Sequence, residues 1–313
     1  MSKSERQRGQ ATVITVLFMT VLIAMAAAVL DVGSWYRADR ALQATVDAAA
    51  LAGAQALPED EAEAKSLAFQ YAEKNGGEVD VSDIVISTTN FPRDTITVDA
   101  EAPAPGFFAR IFGISSVTVA ARAKARAGGV SEARYVAPIT VRWDHEKLIG
   151  CLPEPVCAGP EHPTTLDLLN LHNPGNADAA GSFGLIDLRA EGDGNPGANV
   201  LADWMEKGFN QYMGKDVYYD AAPSANYNNG QFKSALGLRK GTPVLFPIYL
   251  TLTGSGTNAQ FFVIGWVAFV PTGFTGGGSN GSVTGYFKEV IWDGIQASTA
   301  PPTFGVKSVE LVE

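Results

Sequence analysis

The sequence is poor in the residues that build covalent or metal-held scaffolds. Cysteine occurs twice, at Cys151 and Cys157, and histidine three times, at His145, His162 and His172. Two cysteines exclude a disulfide-built fold and a four-cysteine zinc site, and no two histidines have the spacing on a helix that binds zinc. Positive charge is scarce as well: 23 Lys and Arg stand against 33 Asp and Glu, a net charge of −10. Beyond the N-terminus the basic residues are scattered, whereas phosphate binding needs a concentrated basic face, so nucleic acid is excluded as a partner. Also missing are a Gly-x-Ser-x-Gly elbow, Ser-x-x-Lys, His-Glu-x-x-His and a dinucleotide fingerprint. No catalytic residue, metal site or cofactor is therefore expected.

What the sequence has instead is one long apolar run. From Ala11 to Leu30 no residue is charged, and about 20 such residues suffice for a helix to cross the hydrocarbon of a bilayer. Lys3, Arg6 and Arg8 precede the run against Glu5 alone, while Asp31, Arg37, Asp39 and Arg40 follow it and cancel. This asymmetry predicts a cytoplasmic N-terminus, a single membrane pass and an extracytoplasmic bulk. The competing reading is a cleaved signal peptide, for which Ala24-Met25-Ala26 and Ala26-Ala27-Ala28 offer small-residue sites. A signal core is commonly about 7–15 residues, shorter than this run.

No strong helix breaker occurs before Pro58, so the membrane helix is expected to continue into a stalk. Leu42, Val46, Ala49, Gly53 and Ala56 recur at steps of four and three, which marks a seam. Its small residues permit close approach. The spacing fits equally a partner helix and the chain's own outer domain.

Several details of this segment carry a resemblance. Arg8-Gly9-Gln10, the uncharged span, Asp31-Val32-Gly33 with Tyr36, Leu42-Gln43 and the run Asp47-Ala48-Ala49-Ala50-Leu51-Ala52-Gly53-Ala54 resemble the N-terminal module of TadG-like Flp/Tad pilus-assembly proteins. The resemblance is strong over the first fifty-five or so residues and weaker to about Gly129. It implies a bitopic envelope protein working alongside a tight-adherence pilus machine, with other pilus or envelope proteins met through the stalk. Two departures qualify it. The Asp-x-Ser-x-Ser run of a von Willebrand A metal site, carried by larger members, is absent. The fifth residue after Gly9 is Ile14, where processed pilins have glutamate.

The rest of the chain reads as α+β in two parts after the anchor. Residues 1–57 form the basic cap, span and stalk, 58–129 a small α+β subdomain, and 130–313 a β-rich outer domain with one or two helices. In the subdomain a helix is predicted from Pro58 to about Lys74, a hairpin from Val79–Thr88 and Thr95–Ala100, a short helix from Phe107 to Phe112, and a strand from Val117 to Ala127. Gly128-Gly129 reads as a joint. Beyond it, strands are expected at Tyr135–Arg142, Thr165–Leu171, Phe183–Leu188, Pro243–Thr253, Ala259–Val270 and Val283–Trp292. Helices are expected at Asn199–Met213 and Gln231–Leu238, a glycine-rich loop at Gly273–Gly281, and an edge strand or a trailing end at Val306–Val312.

Three constellations bear on chemistry. Cys151 and Cys157, placed outside the membrane by the topology argument, are expected to form a disulfide, with two free thiols as the alternative. Asp144-His145-Glu146 is the one tight cluster of acid/base groups and reads as surface, as do His162 and His172. Asp187, Glu191 and Asp193 with Asn195 sit in a glycine-rich stretch but miss the ligand order of an EF-hand. The sequence thus favours a non-enzymatic membrane-anchored envelope protein of pilus assembly or surface attachment. The alternative is a tethered domain that binds or hydrolyses cell-wall glycans.

Overall fold

The computed structural model describes residues 3–77, 79–151, 156–168, 184–189, 195–254, 258–276, 281–296 and 304–312. It is α+β, a long N-terminal helix followed by mixed structure with two β-sheets among the described residues. Two compact units divide it, Met1–Arg126 with Glu310–Glu313, and Ala127–Val309.

In the first unit, α1 (Lys3–Ala54) is a single helix of 52 residues, about 78 Å at 1.5 Å per residue. It runs unbroken through the Ala24–Ala28 segment. Thr15 and Thr20, two of the few polar residues in the apolar stretch, return their hydroxyls to the carbonyls of Ala11 and Val16, each at 2.9 Å. No lone donor is thereby left facing an apolar surround. The helix stops where Gln55, Ala56 and Leu57 switch to bonds with Ala52, Gly53 and Ala54 ahead of Pro58.

Helix α2 (Glu61–Lys74) starts three residues later than the proline suggests, because Asp60 is the cap. Its carboxylate accepts from the N–H groups of Ala62 and Glu63, both at 2.9 Å, satisfying donors that the first turn leaves unpaired. Strands β1 (Ile84–Ser87), β2 (Thr95–Pro105) and β3 (Ser116–Ala133) follow as an antiparallel meander. Asp94 organises the β1–β2 turn, accepting from the N–H groups of Thr89, Asn90 and Phe91 and from the Thr95 hydroxyl. The end of the chain returns here, where Val312 donates to the Lys124 carbonyl and Glu310 pairs with Arg126 at 2.6 Å. The core of this unit is made largely of alanines, from α1, α2 and the strands, closed by Leu42, Val46, Leu57, Ile84, Ile96 and Val98. Small side chains on both helices let their backbones come close.

The two units divide at Arg126/Ala127, next to the expected joint at Gly128-Gly129, and the chain crosses from one to the other as extended β3. A Cβ on Gly128 would meet the Gln296 side chain at 3.0 Å, so this strand packs closely there.

The second unit contains β4 (Val141–Arg142), α3 (Glu146–Ile149), β5 (Thr164–Asp167), α4 (Ala198–Lys207), β6 (Met213–Gly214), β7 (Val217–Asp220), α5 (Gly230–Leu238), β8 (Val244–Thr253), β9 (Gln260–Thr275), β10 (Ser282–Lys288), β11 (Val290–Ile291), β12 (Gly294–Gln296) and most of β13 (Val306–Leu311). One sheet has the order β4-β8-β9-β10-β5, with β7 also on β9. Its centre, β8 and β9, is the stretch richest in β-branched and aromatic residues, and Phe246, Phe269 and Phe287 pack there ring against ring. The end of β3 is flanked by β6 and β12, and β13 runs parallel to β11.

Several expected elements are shorter than their patterns. Val79–Thr88 is a strand only over Ile84–Ser87, after a 3₁₀ turn at Val81–Asp83. Phe183–Leu188 makes, among its described residues, only isolated bridges at Leu185 and Ile186. Helix α4 ends at Lys207 because Gly208 has φ of 82° and lies so close to the Tyr135 backbone that a Cβ would collide at 2.5 Å. Met213 then joins β6 instead of the helix. The Tyr135–Arg142 run forms isolated bridges at Val136 and Ile139, with only its last two residues in β4. β9, in contrast, extends to Thr275 and takes in the first residues of the glycine-rich loop.

Candidate functional site: the membrane helix and its clamp

From Ala11 to Leu30 nearly every side chain of α1 is exposed, including Val13, Ile14, Leu17, Phe18, Ile23 and Leu30 at 57–66%. A twenty-residue apolar cylinder open to water is untenable in a soluble protein, and its length equals the hydrocarbon thickness of a bilayer. It is the one candidate membrane span among the described residues.

The apolar stretch ends at Asp31, which is only 3% exposed. Its partner is the connector of the β2–β3 hairpin. One carboxylate oxygen accepts from Phe107 at 2.8 Å and the other from Phe108 at 3.0 Å and Ala109 at 2.5 Å. These donors open a short 3₁₀ turn, Ala109–Phe112. Asp31 therefore caps from a distant helix what a local Ser or Asp ordinarily caps. One turn on, the Trp35 indole donates to the Pro105 carbonyl at 3.2 Å. The hairpin tip is thus fastened to α1 at two levels.

Further along α1, Gln43 donates to Asp47 at 2.8 Å and to the Arg122 carbonyl of β3 at 3.0 Å. Leu42, Val46, Ala49 and Gly53 are buried, and Ala56, in the turn after the helix, is half-buried. At Gly53 a Cβ would lie 2.5 Å from Ile96 Cδ1 of β2 and 2.8 Å from the Ala64 carbonyl of α2. The seam is packed inside its own unit.

The remaining candidates are dispersed. Asp144 pairs with Arg142 at 2.8 Å, and Asp187 with Arg189 at 2.7 Å. His145 accepts the Lys147 N–H on Nδ1 at 3.1 Å, with its ring edge-on to Phe287. Burial lowers its pKa below the ordinary 6.5, against the pull of Glu146 and Asp144. His162 is half-buried and Asn195 exposed, while His172, Glu191 and Asp193 fall outside the described residues. Among the described residues no three His, Cys, Asp or Glu side chains converge as metal ligands. Cys151 and Cys157 are joined by a disulfide, with Cα atoms 5.2 Å apart.

Sequence reasoning missed the clamp. Asp31 figured as a flanking charge and in the family-like Asp31-Val32-Gly33 run, and its partners lie 76–78 residues away. A signal was present: Phe107, Phe108, Ile111 and Phe112 crowd one short segment bounded by Gly106 and Gly113.

These features define one long apolar N-terminal helix, consistent with a single-pass membrane anchor and continuous with the first folded unit. Residues 9–56 match the family model Tad, Flp pilus-assembly TadE/G-like, a segment that takes in the span, Asp31 and the whole seam. No curated protein matches the chain, and no solved structure does.

Proposed function

We propose that this chain is a non-enzymatic, membrane-anchored envelope protein acting in tight-adherence (Flp/Tad) pilus assembly or surface attachment. Its N-terminus lies in the cytoplasm and the rest of the chain, from Asp31 onward, outside. The observation that carries this reading is the coincidence of the Tad match at residues 9–56 with a helix long and apolar enough to span a membrane that also packs into the first unit. The charge asymmetry around the span supports the orientation, as does a disulfide in the second unit, a bond that persists in oxidising compartments. Its partners are other pilus or envelope proteins, met on faces of the stalk that α2 and β2 leave open.

Deletion of the gene in its native host, with surface pili measured after shearing and cells scored for attachment, tests the proposal. Loss of pili or attachment, restored by the full chain and not by residues 58–313 alone, is the expected outcome. Unchanged pili and attachment in the deletion strain would refute it.

A further inference from the structure

Among the described residues, the β2–β3 hairpin ends in the most exposed apolar group outside the span. Ile111 and Phe112 are each 80% exposed, Phe107 64% and Ile114 45%. This is costly in water for a tip that is also held in a fixed 3₁₀ conformation by Asp31.

Where the tip sits explains the exposure. Ile111 and Phe112 line, together with Ile23, Ala24 and Ala27 of α1, an apolar cleft of about 350 Å³. Those α1 residues belong to the span. Ile23 is seven residues before Leu30, so the tip reaches about 10 Å inside the end of the apolar stretch at 1.5 Å per residue. One leaflet of hydrocarbon is about 15 Å deep. A group flanking Ile23 is inside the bilayer if Ile23 is.

Arg110 and the clamp fit the same placement. Arg110 is exposed and long enough to reach headgroups from a shallow position. Trp35, bonded to Pro105 at the clamp, stands one turn beyond Asp31, the level at which amphipathic aromatics mark a membrane interface. The backbone donors of Phe107, Phe108 and Ala109 are all taken by Asp31, which lowers the cost of bringing this part of the tip into hydrocarbon.

We propose that Gly106–Ile114 is a second membrane element, a wedge seated in the leaflet from which the first unit emerges, and that lipid acyl chains fill its cleft with α1. This rests on the reading of α1 as a membrane span. Lipid is the occupant because the cleft is continuous with a helix surface that only hydrocarbon can cover.

The test uses the full chain in vesicles of phosphatidylethanolamine and phosphatidylglycerol. Single cysteines Phe112→Cys, Val21→Cys and Val85→Cys are labelled with an environment-sensitive fluorophore, without reductant so that Cys151 and Cys157 stay paired. Nitroxides placed high or low on the lipid chains, and aqueous iodide, serve as quenchers. Expected are loss of most emission at position 112 to the shallow nitroxide, loss at 21 to the deep one, and quenching at 85 by iodide alone. Quenching at 112 by iodide, with 21 still lipid-quenched, would overturn the wedge and leave the span standing. Position 112 shielded from both quenchers would show a protein covering the tip and would equally overturn it. Position 21 open to iodide would remove the span and the wedge together.

Discussion

Asp31 and Ala109 stand 78 residues apart in sequence and meet at 2.5 Å, carboxylate to backbone N–H. This bond, with those to Phe107 and Phe108, ties the tip of a β-hairpin to the point where α1 leaves its apolar stretch. Asp31→Ala removes every acceptor of the cap and is expected to free the tip. Hydrogen exchange at Phe107–Ala109 in lipid nanodiscs should then rise strongly, while Asp31→Asn, which keeps one acceptor oxygen, should lie between. Equal exchange in all three proteins would show that the cap holds nothing.

Gly53 offers a steric test. A side chain there meets Ile96 and the Ala64 carbonyl, and overpacking of this kind commonly costs about 1–3 kcal/mol. Gly53→Val should therefore lower the melting temperature of the purified protein. Gly33, on the same helix with nothing within 4 Å of a Cβ, should behave oppositely, since Gly33→Ala gains about 0.5–1 kcal/mol of helix preference.

These two glycines show what could be read from sequence and what could not. The seam at Leu42, Val46, Ala49 and Gly53 was visible in its spacing, and the span in its length, because both depend on residues near in sequence. β8 and β9 were equally visible in their β-branched and aromatic runs. The end of α4 at Gly208 was not, being set by the Tyr135 backbone, nor was the passage of β3 through Gly128-Gly129 beside Gln296. The partners of Asp31 were hidden for the same reason. The short helix expected at Phe107–Phe112 is a 3₁₀ turn over Ala109–Phe112, and its place beside Ile23, which the sequence does not show, is what the wedge proposal rests on.

His145 makes stability depend on pH. Burial holds its pKa below 6.5, so in the window between the lowered value and 6.5 the unfolded chain binds the proton and the folded one does not. Stability then rises with pH through this window and falls on acidification below 6.5. Protonation would also turn the Nδ1 acceptor of the Lys147 N–H into a donor. His145→Asn, which can still cap α3, should flatten that part of the melting profile measured by circular dichroism.

Asp94 acts at lower pH and in the carboxylate sense. Burial opposes its charge, but the N–H groups of Asn90, Thr89 and Phe91 and the Thr95 hydroxyl outweigh it and hold the pKa below the ordinary 3.8. The stability it confers is complete above 3.8 and is lost as pH falls through the lowered value. Asp94→Asn should melt lower at neutral pH and lose less than the parent on strong acidification.

The Cys151–Cys157 bond closes a loop across a sequence separation of six, which by loop entropy is worth about 2 kcal/mol. Protein taken directly from native membranes should resist alkylation until reductant is added. The doubly substituted Cys151→Ser/Cys157→Ser protein should melt several degrees lower. Full alkylation without reductant would argue against an extracytoplasmic second unit.

α1 passes from Leu30 to Leu42 without proline or interruption. A rod with no joint turns as one piece, bending only gently along its length. A tilt or rotation imposed on the half in lipid is felt at Gly53, and the hairpin riding on Asp31 moves with it. The first unit has, in effect, a fixed bearing to the plane of the membrane. Lipid thickness, or a pull on the helix, would steer what it displays.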